Sequence, residues 1–161
     1  MNPRLLALAI SAATVAADQL TKWWVVSTLP GHPVEVIPGV LWLRYTENTG
    51  AAWGLLPGAG SLIALGAIAA AVVILLVVRR LERRLETVAM GLVLGGAVGN
   101  LLDLIFRGPG LLDGAVVDFI DPTHFPAFNV ADSAITVGAA LALLAAFFVA
   151  RQAKDDGPPE G

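Results

Sequence analysis

Acidic side chains interrupt otherwise apolar stretches of this sequence. Asp18, Asp103 and Asp132 each lie within or at the edge of a long apolar run, and Asp118 lies inside the apolar run 116–120. A charged residue near the centre of a membrane-inserted helix costs roughly 2.5 to 3.5 kcal/mol on insertion scales, so several together require a reason. Two carboxyl groups a few ångströms apart cannot both ionise, and such a pair can activate water without a metal ion. These residue types therefore permit acid–base hydrolysis.

Amide and cationic side chains accompany the acids at helical spacing. Three pairs are separated by three or four residues: Asn100 and Asp103, Asn129 and Asp132, and Asp18 and Lys22. Residues at that spacing lie on the same or an adjoining part of one helix face. Taken alone, Asp132 is equally typical of a carboxylate that caps its own helix. Asn48, in the segment before Gly50, is typical of a turn.

Composition excludes several other kinds of chemistry. The chain has no cysteine, which rules out thiol catalysis, cysteine-based metal sites and disulfides. His32 and His124 occur singly, without the spacing of a metal-binding motif, so we expect neither a metal nor a cofactor. A net charge of −3 is not that of a nucleic-acid-binding domain.

Two other classes of protein are compatible with intramembrane acids. A proton- or ion-coupled transporter also places carboxylates in its helices. An ion pathway should be polar across the whole membrane. In each apolar run here, the half nearer the basic residues carries no acidic or amide residue, and the sequence shows no inverted repeat. A structural membrane subunit with a polar packing cluster is the other alternative that composition allows.

The elements that must position these residues are membrane helices. The sequence is 57% hydrophobic and 14% charged, with a mean hydropathy of +0.76, which leaves too little polar surface for a water-soluble domain of 161 residues. Crossing a hydrocarbon core of about 30 Å takes about 20 apolar residues. Four windows qualify: residues 5–26, 61–78, 87–106 and 130–150. We therefore predict an all-α membrane protein with four transmembrane helices in a single domain, 1–161, ending in a disordered tail at 154–161.

The distribution of Lys and Arg predicts the orientation, because these residues are retained on the cytoplasmic side. Seven of the ten lie at the termini or in the turn between the second and third spans: Arg4, Arg79, Arg80, Arg83, Arg84, Arg151 and Lys154. Both termini are therefore expected in the cytoplasm, with segments 27–60 and 107–129 outside. At a rise of about 1.5 Å per residue, Asp18, Asn100 and Asp103 then lie roughly 5 to 12 Å below the outer helix ends. The polar residues share the outer leaflet.

The N-terminal run also has features of a cleavable signal peptide. Arg4 precedes an apolar stretch that ends in the small residues Val15-Ala16-Ala17. The stretch resumes after Asp18 and reaches Trp23 and Trp24, where an interfacial aromatic belt is expected. We therefore predict a permanent membrane helix.

The first outer segment and the third span carry further structural signals. The segment 34–45 is rich in β-branched and aromatic residues and contains the turn dipeptide Pro38-Gly39, which predicts a small β-hairpin or sheet at the membrane surface. Residues 50–56 are apolar and predict a short interfacial helix. Glycines recur every four residues at 91, 95 and 99, a spacing that lets two helices approach closely in lipid.

Five motifs together resemble the bacterial lipoprotein signal peptidases, also called signal peptidase II, in their order and approximate spacing. They are Asp18-Gln19-Leu20-Thr21-Lys22, Glu47-Asn48-Thr49-Gly50-Ala51-Ala52, the segment 95–103 ending in Asn100-Leu101-Leu102-Asp103, Val116-Val117-Asp118-Phe119, and Phe128-Asn129-Val130-Ala131-Asp132. The resemblance covers residues 5–150. It implies an aspartyl endopeptidase of the bacterial inner membrane that removes signal peptides from diacylglyceryl-modified prolipoproteins, cleaving before the lipidated cysteine.

The resemblance also implies roles for individual residues. Asp118 and Asp132 match the catalytic dyad, a choice among the carboxylates that the residues alone leave open. Other motif positions are expected to line or support the site: Asp18, Lys22, Asn48, Gly50, Asn100, Asp103 and Asn129. Lys22 is expected to anchor Asp18 or a nearby phosphate. The outer β segment matches an extracytoplasmic β-cradle, the lipidated signal peptide and membrane lipid are the expected partners, and a monomer is expected.

One position departs from the family pattern. The family has Arg directly after the aspartate of the third span, whereas this chain has Leu104. Arg107 lies four residues after Asp103, hence on the same helix face, and is predicted to substitute for it. Trp53 and Gly54 also replace the usual Phe-Ser in the predicted interfacial helix.

Overall fold

Four helices and three strands make up the computed structural model, which describes residues 2–49, 60–78, 83–108, 110 and 114–155. In chain order the elements are α1 (Pro3–Thr28), β1 (Val34–Ile37), β2 (Leu41–Asn48), α2 (Gly60–Val78), α3 (Arg84–Phe106), β3 (Val116–Pro122) and α4 (Val130–Asp155). The predicted interfacial helix at 50–56, which includes Gly50, lies outside the described residues, and so does the tail beyond Asp155.

Within the described residues, three helices are long and apolar enough to cross a membrane: Pro3–Thr28, Arg84–Phe106 and the part Val130–Gln152 of α4. The stretch Leu65–Val78 of α2 is apolar but shorter. These findings confirm a helical membrane protein, while four crossings and their orientation remain predictions. The helix α4 extends into the predicted tail, because Lys154 lies in its last turn, where a basic residue complements the helix dipole. The helix thus includes the first two residues of the predicted tail, and disorder in that tail stays a prediction.

The helix α3 is central and packs against α1, α2 and α4. Its glycines make this arrangement possible, because a Cβ atom at Gly95 would lie 2.6 Å from the Cβ of Thr14 in α1. At Gly96, a Cβ would lie 2.7 Å from the Ile135 side chain in α4. The predicted close approach of helices at the glycine stripe is therefore confirmed, and it extends to a second face of α3.

The three strands form one antiparallel sheet in the order β1-β2-β3. Gly39 turns the chain between β1 and β2 with φ 68°, a conformation that glycine adopts without strain, which confirms the hairpin predicted from Pro38-Gly39. The third strand, β3, comes from the segment 107–129, and the sequence did not predict it. Its residues Val117 and Phe119 pack on Val25 at the end of α1. The sheet is therefore fixed to one end of the helix bundle.

Candidate active site

Asp118 lies near the middle of β3 and is only 4% exposed. Two amide groups donate to its carboxyl group: Asn48 Nδ2 to Oδ2 at 3.1 Å and Asn129 Nδ2 to Oδ1 at 2.8 Å. Asn48 is the last residue of β2 and pairs with Val116, so its interpretation as a turn residue is wrong. The pairing of β2 with β3 overrides the local turn preference and directs the amide towards Asp118.

Asn129 and Asp132 form a reciprocal cap at the start of α4. The Asp132 N–H donates to Asn129 Oδ1 at 2.9 Å, and the Asn129 N–H donates to Asp132 Oδ2 at 3.2 Å. This is the geometry of a capping box, with Asn and Asp in place of the usual Ser and Glu. Capping does not use all of Asp132, because its Oδ1 accepts from Asn100 Nδ2 at 2.8 Å. The Asn129 residue therefore contacts both Asp118 and Asp132.

Lys22 lies at the centre of a fully buried cluster with Asp18 and Asp103. Its Nζ is 2.8 Å from Asp18 Oδ2, 2.8 Å from Asp103 Oδ2 and 2.9 Å from Asn100 Oδ1. An ammonium group has three protons, and three acceptors use them. Of the two predicted alternatives for Lys22, the geometry thus supports the anchor for Asp18 and leaves no proton for a phosphate.

The two buried carboxylates connect the helices to the segments that carry the other acids. Asp18 Oδ1 accepts the Ala131 N–H at 2.9 Å, which joins α1 to the start of α4. Asp103 Oδ2 accepts the Val117 N–H at 3.2 Å, which joins α3 to β3. Each bond fixes the residue next to a candidate catalytic acid. A displacement of either carboxylate would therefore move Asp132 or Asp118.

Arg107 contacts the same cluster, as its helical spacing predicted. Its Nε lies 2.8 Å from Asp103 Oδ1. Two carboxylates, Asp18 and Asp103, thus face two cations, Lys22 and Arg107, and the cluster is neutral when all four are charged. Leu104, at the position where the resemblance leads us to expect Arg, is 2% exposed and contributes no charge.

Gln19 belongs to this cluster and was not singled out from the sequence as a site residue. Its Nε2 lies 3.1 Å from Asp18 Oδ2, 3.0 Å from the Gly99 carbonyl oxygen and 3.2 Å from Asp103 Oδ1. A long polar side chain next to Asp18 in an apolar helix was the available signal. Every predicted site residue that the structure describes lies in one connected polar network with Gln19.

The surroundings of Asp118 raise its pKa from 3.8 to about 6. Burial is the main cause, because removing a carboxylate from water disfavours its charged form, and the nearby charge of Asp132 acts in the same direction. Hydrogen bonds from Asn48 and Asn129 and the charge of Lys22 lower the pKa in part. A carboxyl group that titrates near neutral pH beside a second carboxyl group is suited to acid–base exchange.

This pKa shift predicts how stability depends on pH. The folded protein holds the Asp118 proton more tightly than the unfolded chain does. Protonation of Asp118 therefore contributes fully to the free energy of unfolding below about pH 3.8, and this contribution is lost as the pH rises through about 6. A raised pKa of this size corresponds to a free energy on the order of 2 to 3 kcal/mol. The thermal midpoint of the wild type in detergent should therefore fall relative to that of Asp118→Asn between pH 4 and 7. An unchanged difference between the two midpoints would contradict the assignment.

Arg107→Ala tests whether this residue replaces the family arginine. Without Arg107, Lys22 alone faces two buried carboxylates, and an uncompensated buried charge is costly. Because 27% of the Arg107 side chain is exposed, water relieves part of this cost, and we expect a moderate fall in the thermal midpoint with a roughly tenfold lower rate of the hydrolysis that the resemblance implies. Arg107→Lys should recover part of both. A rate equal to that of the wild type would show that Arg107 has no such role. Arg44→Ala is the control, because Arg44 pairs with Asp121 at 3.3 Å outside the network.

Among the residues that the structure describes, no three His, Asp or Glu side chains group as a metal-binding set. The polar network instead consists of carboxylates satisfied by amides, main-chain N–H groups and two cations. No buried side-chain nitrogen or oxygen atom in the described part of the chain lacks a hydrogen-bond partner. The arrangement is therefore a pre-ordered set of acids.

Apolar helices capped at one end by a small sheet, with buried acids at the junction, define a helical membrane enzyme. A solved structure described as a bacterial membrane enzyme has the same fold, with a TM-score of 0.80 and 30% identity over 96% of this chain and 93% of the other. The family described as Signal peptidase (SPase) II matches residues 10–148. The chain belongs to this family.

Curated relatives agree with that assignment. A lipoprotein signal peptidase of Streptomyces coelicolor is 46% identical over 146 residues, which are 86% of this chain and 69% of the relative. A lipoprotein signal peptidase of Geobacillus kaustophilus is 43% identical over 152 residues, which are 90% of this chain and 95% of the relative. The predicted resemblance to signal peptidase II is confirmed.

Proposed function

We propose that the protein is an aspartyl endopeptidase that removes the signal peptide from diacylglyceryl-modified prolipoproteins, cleaving before the lipidated cysteine. The observation that carries the proposal is the position of Asn129, whose side chain binds Asp118 and whose main chain binds Asp132. One residue thereby couples a carboxyl group on the sheet to a carboxyl group on a helix. Family membership supports the substrate class.

The proposed reaction uses water held between Asp118 and Asp132. The ionised carboxylate takes a proton from the water while the water oxygen attacks the scissile carbonyl carbon. The protonated carboxyl group donates a hydrogen bond to the developing oxyanion. The carbon–nitrogen bond then breaks, and a proton passes to the departing amine. The products are a signal peptide with a free carboxyl end and a lipoprotein with a free amino group on its cysteine. The raised pKa of Asp118 is compatible with either role in this exchange.

The proposed setting is a bacterial inner membrane with the acids on the extracytoplasmic side. The excess of Lys and Arg near the termini supports this orientation. In that orientation the sheet lies over the outer surface, and the polar network lies at the junction of bundle and sheet. A substrate anchored by acyl chains would enter sideways from the lipid, so its cleavage site would reach Asp118 without leaving the membrane surface. Four crossings and a monomer are part of the proposal.

A cleavage assay with the purified protein in lipid tests the function. The substrate is a diacylglyceryl-modified prolipoprotein, and mass spectrometry of the products should show one cut before the lipidated cysteine. The same precursor without the lipid is the matched control and should remain intact. Activity should survive a chelator, because the proposed reaction uses no metal ion. An intact lipidated precursor after prolonged incubation, or cleavage at other positions, would contradict the proposal.

A second measurement separates this function from the transporter alternative. The protein in liposomes should cause no proton flux above that of empty liposomes when a pH gradient is imposed. A flux that depends on Asp103 or Asp18 would favour ion transport and count against a closed polar network.

A further inference from the structure

Thr46 lies opposite Asp118 in the sheet and takes no part in the polar network described above. The register pairs these two residues across β2 and β3. Directly opposed side chains lie on the same face of a sheet, with their Cβ atoms about 4.5 to 5.5 Å apart. Asn48, two residues further along β2, uses the same face, because its amide reaches Asp118. Tyr45 bonds to Glu47 and belongs to the opposite face.

Exposure distinguishes Thr46 from its partner. The Thr46 side chain is exposed, whereas Asp118 is almost fully buried. Within the described part of the chain, the Thr46 hydroxyl makes no hydrogen bond. A β-bulge between Leu43 and Thr46 ends at this residue, and bulges redirect side chains next to functional sites. Thr46 therefore offers a donor and an acceptor at the edge of the site.

We propose that the Thr46 hydroxyl binds a main-chain amide or carbonyl group of the peptide substrate beside the bond that is cleaved. The inference rests on the proposed peptidase function. A peptide that reaches Asp118 passes the residue opposite it, and peptide groups that leave water need hydrogen-bond partners. A hydroxyl can serve either group, because it donates one hydrogen bond and accepts others. The contact is already made in the bound substrate, so it contributes to KM more than to kcat.

Two substitutions of Thr46 test this contact. Thr46→Val keeps the branched shape and the preference for a strand but removes the hydroxyl. One hydrogen bond is lost, so KM for the lipidated precursor should rise roughly three- to tenfold while kcat changes less than about twofold. Thr46→Ser keeps the hydroxyl and should show a KM close to that of the wild type. Thr123→Val is the matched control, because it removes a hydroxyl that bonds to the Gly39 carbonyl oxygen at 2.8 Å, at the other end of the sheet.

A series of precursors with one peptide bond replaced by an ester identifies the partner group. An ester lacks the N–H and has a weaker carbonyl acceptor, so one position near the cleavage site should raise KM for the wild type. The same ester should cause no further rise with Thr46→Val, because the contact is already absent.

The outcomes separate this inference from the proposed function. Equal KM values for Thr46→Val and the wild type, or ester effects that persist in Thr46→Val, would overturn the role of Thr46 while leaving the peptidase assignment intact. A purely structural role predicts a lower thermal midpoint and no recovery with Thr46→Ser, which would also overturn it. A wild type that cleaves no lipidated precursor would overturn the proposed function and this inference together.

Discussion

Asp118→Asn and Asp132→Asn are each expected to lower the cleavage rate by about 10² to 10⁴-fold, the usual contribution of a positioned acid or base. An amide can neither accept a proton from water at neutral pH nor donate one to the departing amine. Either substitution therefore removes one half of the proposed exchange. The measurement is the single-turnover rate on a lipidated prolipoprotein at saturating enzyme, which separates the chemical step from binding.

Both variants should still fold, and the hydrogen bonds of Asp118 show why for the first of them. In Asp118→Asn, one side-chain oxygen remains for the Asn129 amide, whose orientation is fixed because its own oxygen accepts the Asp132 N–H. The other atom becomes an NH₂ group opposite the Asn48 amide, so one buried hydrogen bond is lost at a cost of about 1 to 3 kcal/mol. Removing a buried carboxylate offsets part of that cost at neutral pH.

Asp121→Asn is the matched control for the dyad variants. Asp121 lies on the same strand as Asp118 but pairs with Arg44 at 3.3 Å on a more exposed part of the sheet. Its replacement should leave the rate within about twofold of the wild type, since exposed ion pairs contribute little. A folded Asp118→Asn or Asp132→Asn protein that retains the wild-type rate would show that the dyad is assigned to the wrong residues.

Local patterns in the sequence predicted the helices and the hairpin well. Long apolar runs correspond to α1, α3 and α4, and Pro38-Gly39 corresponds to the turn between β1 and β2. The sequence allowed two interpretations of Asp132, as a helix cap or as part of a site. The structure shows that its side chain caps α4 and also accepts a hydrogen bond from Asn100. These features depend on residues within a few positions of one another, so their physical causes are visible in the sequence.

Features that depend on distant pairing could not be predicted in the same way. The strand β3 forms because β2 pairs with it and because Val117 and Phe119 cover the end of α1. No local signal relates residue 48 to residue 118, so Asn48 was interpreted as a turn residue. Strand propensity depends strongly on such context, whereas helix spacing does not.

The candidate site was predictable as a set of residues but not as a network. Helical spacing correctly related Lys22 to Asp18 and Arg107 to Asp103. The bonds from Asp18 to α4 and from Asp103 to β3 cross long sequence separations, and they join these two residues to the segments that carry Asp132 and Asp118. Gln19 was missed because its three contacts lie on two different helices. A buried polar network of this kind is recognised only when every donor is matched to its acceptor.

Lys22→Met is expected to produce the largest loss of stability among substitutions outside the dyad. It removes a buried cation that three acceptors within 2.9 Å share, and it leaves Asp18 and Asp103 facing Arg107 alone. Removing one partner of a buried ion pair typically costs on the order of 3 to 5 kcal/mol, because the remaining charge stays buried without compensation. The thermal midpoint in detergent should fall sharply, and the yield of folded protein should fall with it.

The double variant Lys22→Met with Asp18→Asn separates charge balance from positioning. The buried cluster becomes neutral again, since the one remaining carboxylate, Asp103, faces the one remaining cation, Arg107. The thermal midpoint should therefore recover by half or more of the fall caused by Lys22→Met alone. Its single-turnover rate should stay about 100-fold below that of the wild type, because Asn100 Oδ1 loses the Lys22 ammonium at 2.9 Å and keeps only the Asn129 amide at 3.2 Å, so the Asn100 amide is held less firmly towards Asp132. Recovery of rate and stability together would show that Lys22 only balances charge. A single Lys22→Met variant as stable as the wild type would contradict the buried ion pairs themselves.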